Sequence, residues 1–182
     1  MNGGGRTEGG GMMLCSLLVG GQSFGIDTRM IREVLGTRRV QRVPLAPGYI
    51  AGLVSYRGEV LTTVSLRALL GLPSRPTTVE GESCVLVLDG DVNWNGDVEQ
   101  FGLMVDEVGG VVAVSEDLLR ENPPAMSEVY RVVCCGAFRV PDGLIVQLDP
   151  EQLKPRRLAT TVPQRAANEI TKAREGRLEC ER

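Results

Sequence analysis

The sequence predicts a mainly β chain folded as small barrels or a sandwich, with only a few short helices. Three observations lead there. Apolar residues come in short runs rich in Val, Leu and Ile, of strand length rather than helical stripes. Glycine and proline punctuate those runs. Hydrophobic residues make up 42% of the chain and aromatics only 4%, so the core is built from aliphatic side chains that suit a pleated sheet. Short strands favour a closed sheet, because closure removes the adhesive edges.

Taken in order, the expected strands are Leu14 to Val19, Ile31 to Leu35, Gly52 to Tyr56 and Val60 to Val64, followed by Cys84 to Leu88, Gly102 to Val105, Val111 to Val114, Val129 to Phe138 and Leu144 to Leu148. Gly20-Gly21, Gly58, Gly109-Gly110 and Pro141-Asp142-Gly143 supply turns between them. Two short helices are expected. Ser65 can cap a turn over Leu66 to Leu70 that Gly71 stops. Asp149-Pro150 opens another, since proline fits the first helical position without losing a needed N–H. Outside this pattern lie a Gly-rich leader at 1–11, a proline-containing linker at about 72–82 between two halves, and a polar tail at 159–182, disordered or a marginal helix. The folded unit is thus expected over 12–158.

Composition excludes several function classes. With no histidine, the chain cannot build a Ser-His-Asp site, a histidine metal ligand or a phosphoacceptor histidine. A formal charge of −3, from 20 basic and 23 acidic residues, gives no basic excess for nucleic acid or anionic lipid. Cys15, Cys84, Cys134, Cys135 and Cys180 form no C-x-x-C pair, so no metal is expected, and the first four sit in apolar runs as small hydrophobes. The odd count without a secretory signal predicts a reduced, cytoplasmic protein. No stretch approaches the ~18 apolar residues of a membrane helix, so direct membrane insertion is not expected. The loop Asp91-Val-Asn93-Trp-Asn95-Gly96 matches the opening of a calcium loop, but position twelve, where a bidentate Glu is needed, is Gly102. A polar hairpin tip is the plainer reading.

The segment FGIDTRMIREVLGTRRVQRVPLAPGYIAGLVSYRGEVLTTVSLRALLG, Phe24 to Gly71, is more specific. Ile31 and Leu35 flank an acidic Glu33, a proline corner follows at Pro44 and Pro47, and a strand then ends in Ser55-Tyr56-Arg57-Gly58. A turn glycine directly after arginine fixes the backbone there and projects the guanidinium from a defined place. Glu33 and Arg57 are therefore a candidate cross-strand ion pair.

The order F-x-I-D, V-P-x-x-P, R-G, L-R, then FGLMVDEVGGVVAV and GLIVQLDPEQL, resembles the CheW family of chemotaxis coupling proteins from Phe24 to Leu153. The resemblance implies two intertwined five-stranded SH3-like β-barrels with a groove between them. It implies a non-enzymatic adaptor that needs no cofactor and binds a CheA-type histidine kinase regulatory domain and the cytoplasmic tip of a chemoreceptor, in two-component signal transduction. It also places receptor-coupling residues at Ile31, Gly52, Arg57 and Val111, with Glu33 as the acidic partner of Arg57. Val54 and Tyr56 belong to the same partner-binding stretch. Ile31, Gly52 and Val111 are equally the residues any such barrel needs to pack.

Two departures stand out: Ser55-Tyr56 where the family usually carries Asn-Leu, and Ser65 where it carries aspartate. They motivate an alternative, a divergent kinase-binding protein that serves motility or development without standard receptor coupling. A third reading is a small β-barrel enzyme or ligand-binding protein.

Overall fold

The computed structural model describes residues 11–73, 84–92, 96, 98–115, 119–120 and 127–162. Two sheets carry these residues. The chain begins in one with β1 (Met12–Val19) and β2 (Gln22–Asp27), joined by a two-residue turn at Gly20-Gly21. It crosses to the other for β3 (Ile31–Thr37), β4 (Ile50–Tyr56), β5 (Glu59–Ser65), β6 (Cys84–Val92) and β7 (Val98–Val105). It then returns to the first for β8 (Glu107–Val114), β9 (Leu119–Arg120), β10 (Cys134–Val140) and β11 (Gly143–Leu148). The first sheet runs β8-β1-β2-β11-β10-β9 and the second β3-β6-β7-β5-β4. The intertwined pair of sheets is therefore as expected, with one sheet extended to six strands by the two-residue β9.

Where the halves divide differs from expectation. The strands flanking 72–82, β5 and β6, belong to the same sheet, and the crossings fall at Thr28–Met30 and at Asp106. Local composition marks a turn-rich connection but says nothing about which strands will pair across it. Residues 74–83 lie outside the described residues, as do the leader through residue 10, the loop residues 93–95 and 97, and 163–182.

Packing follows strand periodicity. In β6, Val85, Leu86, Val87 and Leu88 are all fully buried because opposite faces of the strand serve two cores. Val85 and Val87 join Leu35, Val54, Tyr56 and Leu61 inside the second sheet. Leu86 and Leu88 join Leu17, Phe24, Val64 and Leu103 in a larger core shared by both sheets. A third, smaller core of Leu14, Val114, Phe138 and Ile145 sits within the first sheet.

The short helices show what sequence pattern reads well and badly. α1 (Leu66–Leu69) is capped by Ser65, whose hydroxyl accepts from the Ala68 N–H at 3.2 Å. α3 (Pro150–Leu153) is capped by Asp149, which accepts from the Glu151 N–H at 3.0 Å. The run Val129 to Phe138 is not one strand. Its first part is α2 (Glu128–Val133), capped by Ser127, whose hydroxyl accepts from the Tyr130 N–H at 3.2 Å. Val129 and Val133, four apart, face the shared core, and strand alternation begins only at Cys134. α4 (Pro155–Thr161) extends the folded body past residue 158, and Leu158 and Val162 both pack into the shared core. Sequence reading also missed β2 and β9.

Among the described residues, the hydroxyl of fully buried Thr63 has no hydrogen-bond partner. Replacing Thr63 with the near-isosteric valine is expected to raise stability by about 1–2 kcal/mol, because a buried donor without an acceptor carries its full desolvation cost. A urea midpoint that stays put or falls in the Thr63→Val protein would contradict this.

Candidate functional site

β3 and β4 are the two outer strands of the second sheet, and the chain joins them directly. Gln41 and Leu53 exchange two backbone hydrogen bonds, each 2.8 Å, across that seam. Such an approach leaves no room for a side chain on the adjacent β4 residue. A Cβ on Gly52 would lie 2.2 Å from the Gln41 carbonyl oxygen, and Gly52 has φ 146°, a region that disfavours other residues. The glycine is thus what lets the sheet close.

At one end of the seam sits the charged cluster. Tyr56 ends β4, and Arg57-Gly58 form the two-residue turn into β5, with φ values of 51° and 86°. Positive φ at both positions is what a twisted hairpin of this length demands, and arginine accepts it less readily than glycine or asparagine. From that turn the Arg57 guanidinium donates to Glu33 Oε2 at 2.7 Å. The Tyr56 hydroxyl donates to the same oxygen at 2.8 Å. The guanidinium carbon also lies 5.1 Å from the Tyr56 ring centroid, within cation–π range. The expected Glu33–Arg57 pair is present, although the two residues are not on paired strands: they meet across the seam. Arg32, next along β3, pairs with Asp89 of β6 at 2.7 Å.

The electrostatics hold this arrangement at neutral pH. The Tyr56 hydroxyl, with help from Arg57 and the nearby Arg38 charge, keeps the Glu33 carboxyl below its ordinary range. The hydrogen bond to Glu33 in turn pushes the Tyr56 phenol up. Carboxylate and protonated phenol therefore coexist, and the contact weakens as pH falls through the lowered Glu33 value or rises through the raised Tyr56 value. Arg57 remains 74% exposed and Glu33 39%, so the pair is a presented surface more than a source of stability.

The other expected site residues are distributed differently. Ile31 opens β3, half-buried against the shared core. Gly52 is buried and Val54 is 2% exposed, so both shape the strand leading to the cluster and neither presents a surface. Val111 is 57% exposed on β8, the outer strand of the other sheet, on the same face as exposed Met13 and Ala113. Cys15 and Cys134 are buried, and burial pushes the Cys134 thiol up to about 12. Cys135, expected among the apolar packing residues, is exposed instead. Among the described residues no group of three Cys, Asp or Glu could hold a metal ion.

Sequence reading passed over a second polar cluster that joins the sheets. Asp106, where the chain leaves β7 for β8, accepts the Gly20 N–H at 2.8 Å and the Arg67 Nε at 3.1 Å, with a further bond from Arg67 Nη2. Arg67, in α1, also donates to the Pro73 carbonyl at 2.7 Å. The Asp106 N–H donates to the Leu18 carbonyl at 3.1 Å. Both residues lie in the V-D-x-V and L-R motifs, and the sequence signal was an acid at the end of one apolar run and a base inside another.

Comparison with known proteins gives a consistent result. A family model described as "CheW-like domain" matches residues 14–157. The chain is 30% identical over 142 residues to "Chemotaxis protein CheW" of Rhizobium meliloti, covering 77% of this chain and 86% of that protein. It is 26% identical over 141 residues to "Chemotaxis protein CheW" of Treponema pallidum, covering 77% and 80%. The crystal structure of the scaffolding protein TtCheW from Thermoanaerobacter tengcongensis superposes with a TM-score of 0.64 at 20% identity, covering 79% of this chain and 92% of that one. At that identity the superposition speaks for the fold.

Proposed function

The chain belongs to the CheW-like family, and on that premise we propose that it is a chemotaxis adaptor coupling methyl-accepting chemoreceptors to a CheA-type histidine kinase. Its only chemistry is binding. By engaging receptor and kinase together, it lets a receptor's conformational bias alter phosphotransfer elsewhere. It works in the cytoplasm between partner domains, and no described helix is long and apolar enough to cross a membrane. The observation that carries the reading within the family is the exposed Arg57, held at a fixed angle by Tyr56 and Glu33 on the rim of the second sheet. A guanidinium fixed in this way offers its remaining donors to a partner at little further ordering cost.

Tyr56 also gives the alternative some weight. Its hydroxyl occupies part of the Glu33 carboxylate, where the family's usual Leu has no hydroxyl to offer. A divergent adaptor that keeps the kinase and drops the receptor would bind the regulatory domain alone.

The test is a binding assay of the full chain with a CheA-type regulatory domain and a receptor-tip fragment from the same genome. Asparagine at position 57 keeps the turn, because it accepts positive φ, and removes the guanidinium. Arg57→Asn is expected to weaken receptor coupling roughly tenfold, the scale of a central interface residue. Arg57→Glu should do the same, and adding Glu33→Arg should recover part of the loss. A double variant no better than either single one would remove the pair from the mechanism. Binding to the kinase domain alone would select the divergent reading.

A further inference from the structure

Two donors converge on a single oxygen in the Glu33–Arg57 cluster. The Tyr56 hydroxyl and an Arg57 Nη2 N–H both end on Glu33 Oε2, at 2.8 and 2.7 Å. Arginine and carboxylate frequently pair as a fork, with two parallel N–H···O bonds and both oxygens taken. Here the phenol occupies Oε2 as well, and the guanidinium carbon lies 5.1 Å from the Tyr56 ring centroid, so the pair is held to one bond. Two things are left over. Among the described residues no donor reaches Glu33 Oε1, and Arg57 keeps its remaining N–H groups on an exposed side chain. Tyr56 is itself buried, with its ring in the core of the second sheet, so the phenol is braced where the arginine is not.

We propose that Tyr56 is a positioning residue that turns the ion pair into a donor–acceptor face, and that this face takes a carboxamide, the side chain of Asn or Gln, on the receptor tip. A partner that covers the pair must bring a donor for Oε1 and an acceptor for the guanidinium, because a polar group covered without a partner bears its full desolvation cost. A carboxylate accepts from Arg57 but has no proton for Oε1. A lysine or arginine donates to Oε1 but offers Arg57 nothing, and the charge of Arg38, felt at Glu33, repels it. A hydroxyl serves both through one oxygen, whereas a carboxamide offers the two functions on separate atoms, one for each member of the pair. The neighbouring charges balance: Arg32 of β3 is paired with Asp89 of β6. The inference rests on the adaptor reading for its partner. It adds which group on that partner is recognised and which residue of this chain sets the recognition.

The experiment measures binding of the full chain to the receptor-tip fragment and, in parallel, to the kinase regulatory domain. Tyr56→Phe keeps the buried ring and removes only the hydroxyl. Its affinity for the receptor tip should fall about tenfold, while unchanged kinase binding reports that the chain is folded. The pH profile separates positioning from packing. Tyr56 is the foremost influence holding the Glu33 carboxyl below its ordinary range, ahead of Arg57 and Arg38. Without the hydroxyl that value rises, so the acid limb of receptor binding should move to higher pH in Tyr56→Phe. On the partner, each Asn and Gln of the receptor-tip fragment is changed in turn to Asp or Glu, and each Asp, Glu, Ser and Thr to Ala. One amide change should weaken binding to the parent chain about tenfold and to Tyr56→Phe far less, the mark of coupled groups. Coupling at a carboxylate or a hydroxyl instead would overturn the carboxamide. Parent-like affinity and an unmoved acid limb in Tyr56→Phe would overturn the role of Tyr56 and leave the adaptor reading standing. A parent chain that binds neither partner would overturn the adaptor reading and this proposal with it.

Discussion

Asp106→Ala is expected to destabilise the protein by about 3–5 kcal/mol, the cost of removing one partner from a buried ion pair. The Arg67 side chain is 20% exposed and that of Asp106 11%, so both charges are largely withdrawn from water. Alanine would leave the Arg67 guanidinium with the Pro73 carbonyl but no counter-charge, and would strip the Gly20 N–H of its acceptor. Both sheets would feel the change. Gly20 belongs to the β1–β2 turn of the first sheet, Arg67 lies in α1 two residues past the end of β5 in the second, and Leu72 packs against Gly20 just beyond. Asp106→Asn separates the two contributions, because the amide oxygen can still accept from Gly20 while the charge is gone. Its loss should fall well below that of alanine. Urea unfolding measures both: a midpoint drop of more than about 1 M is expected for alanine, given slopes of a few kcal/mol per molar. An alanine variant within roughly 0.3 M of the parent would show that the pair contributes little beyond what water could replace.

Gly52→Ala comes next in size, at about 2–5 kcal/mol, combining backbone strain at positive φ with overpacking. The new Cβ would meet the Gln41 carbonyl oxygen at 2.2 Å and its carbon at 2.7 Å, both backbone atoms with no rotamer to escape into. The seam would have to open, separating the Gln41–Leu53 hydrogen bonds. Hydrogen exchange reads this directly. The Leu53 and Gln41 amides should lose protection in Gly52→Ala while amides in β6 keep theirs. If both seam amides remain protected and the melting temperature is unchanged, the seam tolerates a methyl group and the close approach is not what requires glycine. The same variant bears on binding, because the seam also carries Glu33 and Arg57. A loss of partner affinity at position 52 would then be inherited from closure, not from a contact made by Gly52.

How much of this was legible in the sequence depends on the range of each interaction. β6 was plain because Val85 to Leu88 are consecutive apolar residues with no helical period. Ser65 and Asp149 announced their helices because a cap is satisfied within three residues. The Glu33–Arg57 pair could be anticipated because Gly58 fixed where the arginine points. β2 escaped notice because Gln22, Ser23 and Gly25 dilute its apolar residues to Phe24 and Ile26, both fully buried. α2 was hidden by its vocabulary: valines and a tyrosine suggest strand, and only the Ser127 cap and the four-residue spacing of Val129 and Val133 reveal a turn of helix. Asp106 and Arg67 each looked ordinary, since their meaning lies in contact with each other and with Gly20, far apart in the chain. Positive φ at Leu45 has no sequence signature at all. What a few residues decide among themselves was readable, and what strand pairing decides was not.

The way the sheets divide the chain also orders events during synthesis. β3 to β7 are contiguous, so the second sheet can assemble as soon as Val105 has left the ribosome. The first sheet cannot. β1 and β2 are made before the other strands, yet the strands on either side of that hairpin are β8 and β11, and the parallel pairing of Phe24 with Val146 waits for strands made much later. Until then, Leu17, Val19, Phe24 and Ile26 have only the nascent second sheet to cover them. The earliest-made strands are thus among the last to find all their partners, and a polypeptide truncated before β11 would hold a finished second sheet beside an unfinished first one.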